Sequence, residues 1–265
     1  MPSKLLVKAA AGKEIAAVTP QSAGWDYVGF AAYRLEPGES ITFNDPGREA
    51  CLVVLVGKAR VQAGELDCGV IGNRLSVFED KAPDAAYAPN GCLLSATAVS
   101  ACEIALAHAP GTGTHPARAI PGSTMRRSVR GEGTNRRFVT DILPADEPAD
   151  SLLVVEVVTP SSHSSSYPPH KHDTDDLPSQ SSLEETYYHP LHPEQGYVLQ
   201  RVYTDDRSLD EAIAAENHDV VLVPRGYHPV TVPHGYTSYY FNVMAGAKRN
   251  WVFRNDPAHE WMLKN

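Results

Sequence analysis

The chain has 265 residues, of which 42% are hydrophobic, and a formal net charge of −9. This length allows one large domain or two domains of about 130 residues, each able to bury a core. The acidic balance argues against a nucleic-acid partner, which would need clustered cationic side chains. No apolar run approaches the roughly 20 residues that cross a bilayer, and the first residues lack the apolar segment of a signal peptide. We therefore expect a cytoplasmic protein with no membrane partner.

Strand-like segments follow one another along most of the chain. The runs CLVVLV (residues 51–56) and LLVVEVV (residues 152–158) are rich in β-branched residues, which favour strands. The only clear helix signal is at residues 208–213, where Ser208 and Glu211 form a capping-box pattern. The composition therefore predicts an all-β protein with one short helix.

The two halves of the chain resemble each other. A Pro-x-Gly turn at residues 89–91 stands in the first half where a second such turn, at residues 224–226, stands in the second. An ordinary β-turn coincidence is the alternative explanation. We predict two β-barrels, with residues 1–120 forming a metal-free barrel, residues 121–150 a connector, and residues 151–265 a metal-binding barrel.

Cationic side chains concentrate in and next to the predicted connector. Six arginines fall within 20 residues: Arg118, Arg126, Arg127, Arg130, Arg136 and Arg137. They form either a solvated linker or a strip that binds an anion or a partner subunit. A glycine-rich stretch at residues 130–137 lacks the Lys-Ser/Thr pair of a phosphate-binding P-loop. A nucleotide site is therefore not expected here.

The four cysteines lie in the first half, and none forms a Cys-x-x-Cys pair. They are Cys51, Cys68, Cys92 and Cys102. Buried thiols in apolar strand-like runs behave as small hydrophobic side chains. We expect structural thiols rather than disulfides or metal ligands.

A His-x-His pair is the most informative motif. Side chains alternate along a strand, so His170 and His172 face the same side. A carboxylate from Glu185 and a later imidazole, His228, would complete a three-His, one-Glu set. Glu184 is the alternative carboxylate. Such a set suits Zn²⁺, with Mn²⁺, Fe²⁺, Co²⁺ or Ni²⁺ as alternatives, and leaves positions free for a substrate.

This set looks like the metal centre of a cupin, a small β-barrel protein with converging His-x-His, Glu and His ligands. The alternative third imidazole is His234, whose position after Pro233 is typical of a turn. The remaining nearby histidines are predicted on loops, where any could orient a ligand: His163, His189 and His192.

Polar side chains near the predicted centre suggest a hydroxyl-rich, anionic ligand. An arginine inside a barrel is costly unless an anion pairs with it. Arg201 and Arg225 are therefore candidates to bind a substrate carboxylate, and the alternative for each is a surface ion pair. Gln200, on the same strand as Arg201, is a candidate to bind sugar hydroxyls.

Five sequence strings closely resemble the 5-deoxy-glucuronate isomerase family of myo-inositol breakdown. They are SYPPHKHD (166–173), LEETYYH (183–189), QRVYT (200–204), VPRGYHPV (223–230) and YYFNVMAG (239–246). The resemblance implies a bicupin, with two jelly-roll-like β-barrels and the metal site in the C-terminal one. It also implies a homo-oligomer that interconverts 5-deoxy-D-glucuronate and 2-deoxy-5-keto-D-gluconate.

An aldose–ketose isomerase needs a group that moves a proton between adjacent carbons. Glu184, Tyr203, Tyr240 and a metal-bound hydroxide are all candidates. Two other functions would use the same ligands. One is a cupin dioxygenase that uses Fe²⁺ and O₂, and the other is a non-catalytic sugar-binding cupin.

Overall fold

The computed structural model describes residues 3–264, which form a mostly β structure. The strands pair in antiparallel fashion throughout the main sheets. No helix in the described part of the chain is long and apolar enough to cross a membrane. The prediction of a β protein is thereby confirmed.

The first 120 residues contain eleven strands and a short α-helix among the residues described. They are β1 (Leu6–Val7), β2 (Glu14–Val18), α1 (Pro20–Ala23), β3 (Gly29–Leu35), β4 (Ser40–Phe43), β5 (Arg48–Val56), β6 (Ala59–Ala63), β7 (Leu66–Ile71), β8 (Asp84–Ala88), β9 (Leu94–Ala98), β10 (Cys102–Pro110) and β11 (Arg118–Ile120).

The remainder of the described chain contains fifteen strands and three 3₁₀ segments. The 3₁₀ segments are Gly122–Thr124, Gly133–Asn135 and Pro257–Lys264. The strands are β12 (Arg126–Arg130), β13 (Arg137–Leu143), β14 (Leu153–Thr159), β15 (Ser164–Ser165), β16 (His170–Lys171), β17 (Asp173–Asp176), β18 (Gln180–Ser182), β19 (Glu184–His189), β20 (Leu191–His192), β21 (Tyr197–Tyr203), β22 (Asp210–Glu216), β23 (Asp219–Val223), β24 (Val230–Thr231), β25 (Thr237–Ala245) and β26 (Arg254–Asn255).

Each half contains one large sheet and one four-stranded sheet. In the first half, the large sheet has the order β11-β8-β5-β10-β3-β2 and the smaller one β4-β9-β6-β7. In the second half, the large sheet runs β1-β23-β19-β25-β14-β13-β12, with β20 beside β25, and the smaller one runs β15-β24-β21-β22. Two-stranded pairs, β16-β26 and β17-β18, complete the second half. In the described sheets, the first and last strands of each order do not pair with each other, so the strand pairings do not close a barrel.

The alternation of strand side chains creates separate cores on the two faces of each large sheet. In β5, Cys51 and Val53 face a core shared by both large sheets, whereas Leu52 and Val54 face the core of the first half. Likewise Phe241 in β25 enters the shared core, while Tyr240 faces the core of the second half. The large sheets therefore pack against each other, with the smaller sheets outside.

Several predictions about individual segments are corrected. The helix predicted at residues 208–213 is wrong, because β22 pairs with β21 and alternates Ile213 and Ala215 inward. The predicted connector, residues 121–150, supplies β12 and β13, which extend the large sheet of the second half. That sheet also receives β1 from the N-terminus, which pairs with β23.

The cysteines are free, as predicted. Cys51 and Cys102 are buried, and Cys68 and Cys92 are partly buried. Burial raises the pKa of Cys51 to about 12, which keeps this thiol protonated and unreactive near neutral pH.

Candidate metal centre

The alternation of side chains along β19 decides which of two neighbouring carboxylates faces the core of the second half. Glu185 lies opposite Val223 of β23, and Tyr187, two residues on, faces the core between the sheets. Glu184 and Tyr188 face the opposite side, where Tyr188 packs in the core shared by the two halves. Glu185 is thereby directed toward the predicted histidines, and Glu184 is directed away from them.

Three imidazoles converge on Glu185. The ligand-capable atoms of His170, His172 and His228 all lie within 4.8 Å of one another, and all three residues are buried. The Oε2 atom of Glu185 lies 3.0 Å from Nε2 of His172 and 3.2 Å from Nε2 of His228. The structure thus brings together all four residues predicted from the sequence.

Backbone carbonyls orient the rings. Nδ1 of His228 donates to the carbonyl of Gly226 at 2.8 Å, and Nδ1 of His172 lies 3.2 Å from the carbonyl of Leu183. Because a carbonyl only accepts, each Nδ1 carries the proton and each Nε2 is left to face the centre. Among residues 3–264, Nε2 of His228 is buried and has no hydrogen-bond partner. An unsatisfied imidazole nitrogen beside a carboxylate fits a divalent metal ion.

The electrostatics of the cluster keep Glu185 ionised and His170 neutral. Burial by itself raises the pKa of Glu185, but its interactions with the adjacent imidazoles of His172 and His228 lower it to about 2. Burial and the two other imidazoles hold the pKa of His170 well below its usual range. For His172, burial lowers the pKa, but the hydrogen bond and charge of Glu185, together with backbone hydrogen bonds, outweigh burial and raise it. Metals require a carboxylate and neutral imidazoles, so a proton on His172 would leave when a metal binds.

A cavity of about 320 Å³ opens beside the cluster. Its wall contains Glu185 and His170 at the candidate metal centre, together with aromatic, aliphatic and polar side chains. Among these are Arg130, Arg137, Tyr187, Tyr240, Asn242 and Trp251. Both arginines belong to the cluster evident in the sequence, but sequence reasoning missed their place at this cavity. The alternation of β13 was the available signal, because Arg137 and the core residue Val139 share one face.

Glu184 lies away from the cavity and joins the two halves of the molecule. Its carboxylate accepts the backbone N–H groups of Asp26, Tyr27 and Val28 at 2.7, 2.8 and 2.9 Å. A carboxylate held in this way is not placed to move a proton on a substrate at the metal centre. The hypothesis that Glu184 is the catalytic base is therefore corrected.

The arginines predicted to bind a carboxylate lie on the outside. Arg201 is exposed and makes a two-pronged pair with Asp210, at 2.7 Å for each contact. Arg225 is exposed in the turn before His228. The premise of an interior arginine is wrong at both positions, and Arg201 forms the surface ion pair that was the alternative.

The other predicted residues divide between the wall of the cavity and its support. Tyr240 lines the cavity. Tyr203 is buried elsewhere and donates to Oδ2 of Asp256 at 2.8 Å. Gln200 is buried behind the centre, where its Oε1 lies 3.1 Å from Nε2 of His189 and its Nε2 lies 3.4 Å from the His228 carbonyl.

The surrounding histidines differ from expectation in two cases. The sequence predicts His189 on a loop, but it ends β19 and is fully buried. His192 is exposed in the two-residue strand β20, and His163 lies outside the strands. His234 lies in a turn, as predicted, with Nδ1 3.2 Å from Oγ of Ser162.

Comparison with known proteins defines the class to which this fold and cluster belong. The model of the KduI/IolB family matches residues 5–262, and the chain belongs to that family. A curated relative from Geobacillus thermodenitrificans (strain NG80-2), named 5-deoxy-glucuronate isomerase, is 52% identical over 248 residues, covering 94% of this chain and 90% of the relative. The relative of the same name from Bacillus subtilis (strain 168) is 50% identical over 248 residues, covering 93% and 92%.

Solved structures agree with the family assignment. The crystal structure of an IolB-like protein from Salmonella typhimurium LT2 has a TM-score of 0.97 and 46% identity, and covers 98% of this chain and 100% of that one. An oxalate decarboxylase from Lactobacillus farciminis has a TM-score of 0.65 at 12% identity, covering 100% and 91%. The second likeness extends to the fold alone. Like its curated relatives, the chain is an isomerase.

Proposed function

We propose that this isomerase converts 5-deoxy-D-glucuronate to 2-deoxy-5-keto-D-gluconate in myo-inositol catabolism, in the cytoplasm. The observation that carries the proposal is the convergence of three buried histidines and Glu185 beside a cavity that His170 and Glu185 line. The name shared by relatives at about half identity over nearly the whole chain supports the substrate.

The proposal includes two cupin-like halves, of which the second holds the metal. Residues 1–120 and residues 151–265 each provide a large sheet that faces a four-stranded sheet. The exception is β1, which belongs to the first range but lies in the large sheet of the second half. Residues 126–143 extend that same sheet. Within residues 3–264, the three-histidine cluster lies in the second half. The first half has the matching turn after β8 but no histidines in it.

We assign His170, His172, Glu185 and His228 as ligands, with Zn²⁺ as the ion and Mn²⁺, Fe²⁺, Co²⁺ or Ni²⁺ as alternatives. These residues would hold the ion, which would supply Lewis-acid chemistry for an aldose–ketose isomerisation. Nitrogen and carboxylate donors suit all of these ions. Gln200 is reassigned from binding hydroxyls to supporting His228 from behind.

Among the residues predicted to transfer the proton, Tyr240 is the one whose side chain lines the cavity. Burial raises its pKa, although hydrogen bonding to Ser165 and the charge of Arg137 oppose that effect. The phenol therefore stays protonated near neutral pH and is suited to donate to a substrate oxygen. Tyr187 lies next to it, with ring centroids 5.0 Å apart, and its hydroxyl lies 3.1 Å from Oγ of Ser166.

The direct test is an anaerobic assay of the metal-replete protein with 5-deoxy-D-glucuronate. We expect formation of 2-deoxy-5-keto-D-gluconate, followed by NMR, at the same rate with and without oxygen. A reaction that stops without oxygen would favour a cupin dioxygenase, and binding without conversion would favour a sugar-binding protein. Elemental analysis of the purified protein identifies the ion.

We also propose that the protein forms a homo-oligomer. Exposed apolar side chains, including Val129, Phe138 and Trp261, support such an assembly because they gain from being covered. Light scattering coupled to size-exclusion chromatography will measure the assembly. A single species with the mass of one chain would contradict the proposal.

A further inference from the structure

We propose that Arg137 binds the carboxylate of the substrate and so makes the site selective for sugar acids. The inference rests on the proposed function, and it replaces the exposed Arg201 and Arg225 with an arginine on the cavity wall. Arg137 begins β13, and its side chain lines the cavity that also contains Glu185 and His170.

No carboxylate among the described residues forms an ion pair with Arg137. In the described part of the chain, its guanidinium donates one hydrogen bond, from Nη1 to the carbonyl of Asn135 at 3.1 Å. Five N–H groups are available on an arginine, so most of its donors remain free. Burial lowers its pKa, the phenol of Tyr240 opposes this, and Arg130 lowers it further. A partly buried cation of this kind is costly until an anion pairs with it.

A second arginine adds to the positive charge on the cavity wall. Arg130 of β12 is the cross-strand partner of Arg137, so the two side chains leave the same face of the sheet. Nη2 of Arg130 lies 3.4 Å from Oδ1 of Asp141, whose other oxygen is 2.8 Å from Nε of Arg126. Asp141 is thus shared between Arg126 and Arg130. Arg130 and Arg137 are like charges directly opposite each other, which destabilises a strand pair. A bound carboxylate would offset this repulsion.

The cavity wall therefore carries two chemically different sets of groups. The candidate metal centre offers a site for the carbonyl and hydroxyl oxygens of a sugar, and the arginines offer one for a carboxylate. The ring of Trp251, over which the Arg130 guanidinium lies at 5.6 Å, forms part of the wall. A linear sugar with a carbonyl at one end and a carboxylate at the other can meet both sets of groups in one orientation.

The test compares R137M with R136M, because Arg136 is next to Arg137 in the chain and does not line the cavity. With 5-deoxy-D-glucuronate, R137M should raise KM about ten- to a hundredfold, the effect of losing a charge-assisted hydrogen bond. With 5-deoxy-D-glucose, in which an uncharged alcohol replaces the carboxylate, R137M should behave as the wild type does. R136M should match the wild type with both sugars, and R137K should recover part of the loss because it keeps the charge.

A binding measurement separates this inference from the proposed function. Calorimetry of the wild type should show tighter binding of D-glucuronate than of D-glucose, and R137M should lose that preference. If the wild type shows this preference but does not convert 5-deoxy-D-glucuronate, the proposed substrate is wrong and the role of Arg137 stands. Equal affinity of the wild type for both sugars, or unchanged D-glucuronate affinity in R137M, would overturn the role of Arg137. An equal loss for both sugars in a folded variant would assign Arg137 to packing instead.

Discussion

Glu184 and Glu185 are adjacent in the chain but have opposite surroundings, so substituting each by Gln should separate stability from metal binding. Glu184 accepts three backbone N–H groups from the first half, and Glu185 contacts two histidines of the cluster. Glutamine keeps the size of both side chains and removes only the charge and one acceptor. We expect E184Q to keep its metal and lose stability, and E185Q to lose metal.

The contacts set the magnitudes. Hydrogen bonds to a charged acceptor contribute about 1.5–3 kcal/mol each, and the E184Q side chain would retain one acceptor oxygen in a partly exposed position, so we estimate a loss of about 2 kcal/mol. With an unfolding entropy of about 2.1 cal/mol/K per residue, this corresponds to a Tm lower by about 4 °C for a chain of this length. Substituting a group that merely orients a ligand costs about 10–100-fold in metal affinity, so E185Q should lose about 100-fold or more.

The assay measures metal content after dialysis against a buffered free-metal concentration, and Tm in the presence and absence of a chelator. The chelated proteins isolate the stability term, since no metal then contributes. E184Q should melt earlier than the wild type in both conditions, whereas E185Q should lose most of the stabilisation that added metal gives. Loss of metal from E184Q with retention in E185Q would show that the orientation of β19 is wrong.

Three further substitutions test the remaining assignments. H228A should lose bound metal by elemental analysis and nearly all turnover, yet keep its β circular dichroism, since the apolar cores carry the fold; an unfolded variant would contradict this. R201M removes an exposed pair with Asp210 and the contact of the guanidinium with the Tyr203 ring, both outside the cavity beside the candidate metal centre, so its KM for the sugar acid should stay within about twofold of the wild type; a tenfold rise would restore Arg201 as the carboxylate site. Y203F removes the buried bond to Asp256, so it should cost about 1 kcal/mol in a chemical-denaturation experiment and leave kcat largely intact; loss of kcat with metal retained would make Tyr203 catalytic.

The sequence by itself determined the β class and the candidate ligands. Period-two alternation placed His170 and His172 on one side of an extended segment, and the same rule allowed only one of Glu184 and Glu185 to face them. Alternation is a local property that depends on neighbouring residues alone, so the sequence could predict which side chains share a face. The structure brings those side chains together. The motif strings also indicated the isomerase family, to which the chain belongs.

Only the tertiary structure decided features that depend on distant partners. Residues 208–213 carry a helix signal, but the residues from Asp210 onward form strand β22, which pairs with β21. These tertiary contacts outweigh the local helix propensity. Arg201 and Arg137 both lie on strands, and their order in the chain does not say which strand face borders a cavity. That depends on the addition of β12 and β13 beside β14 to a sheet whose next strands, β25 and β19, are remote in sequence. The predicted arginines were therefore wrong, and the one on the cavity wall became visible only when the sheet order was known.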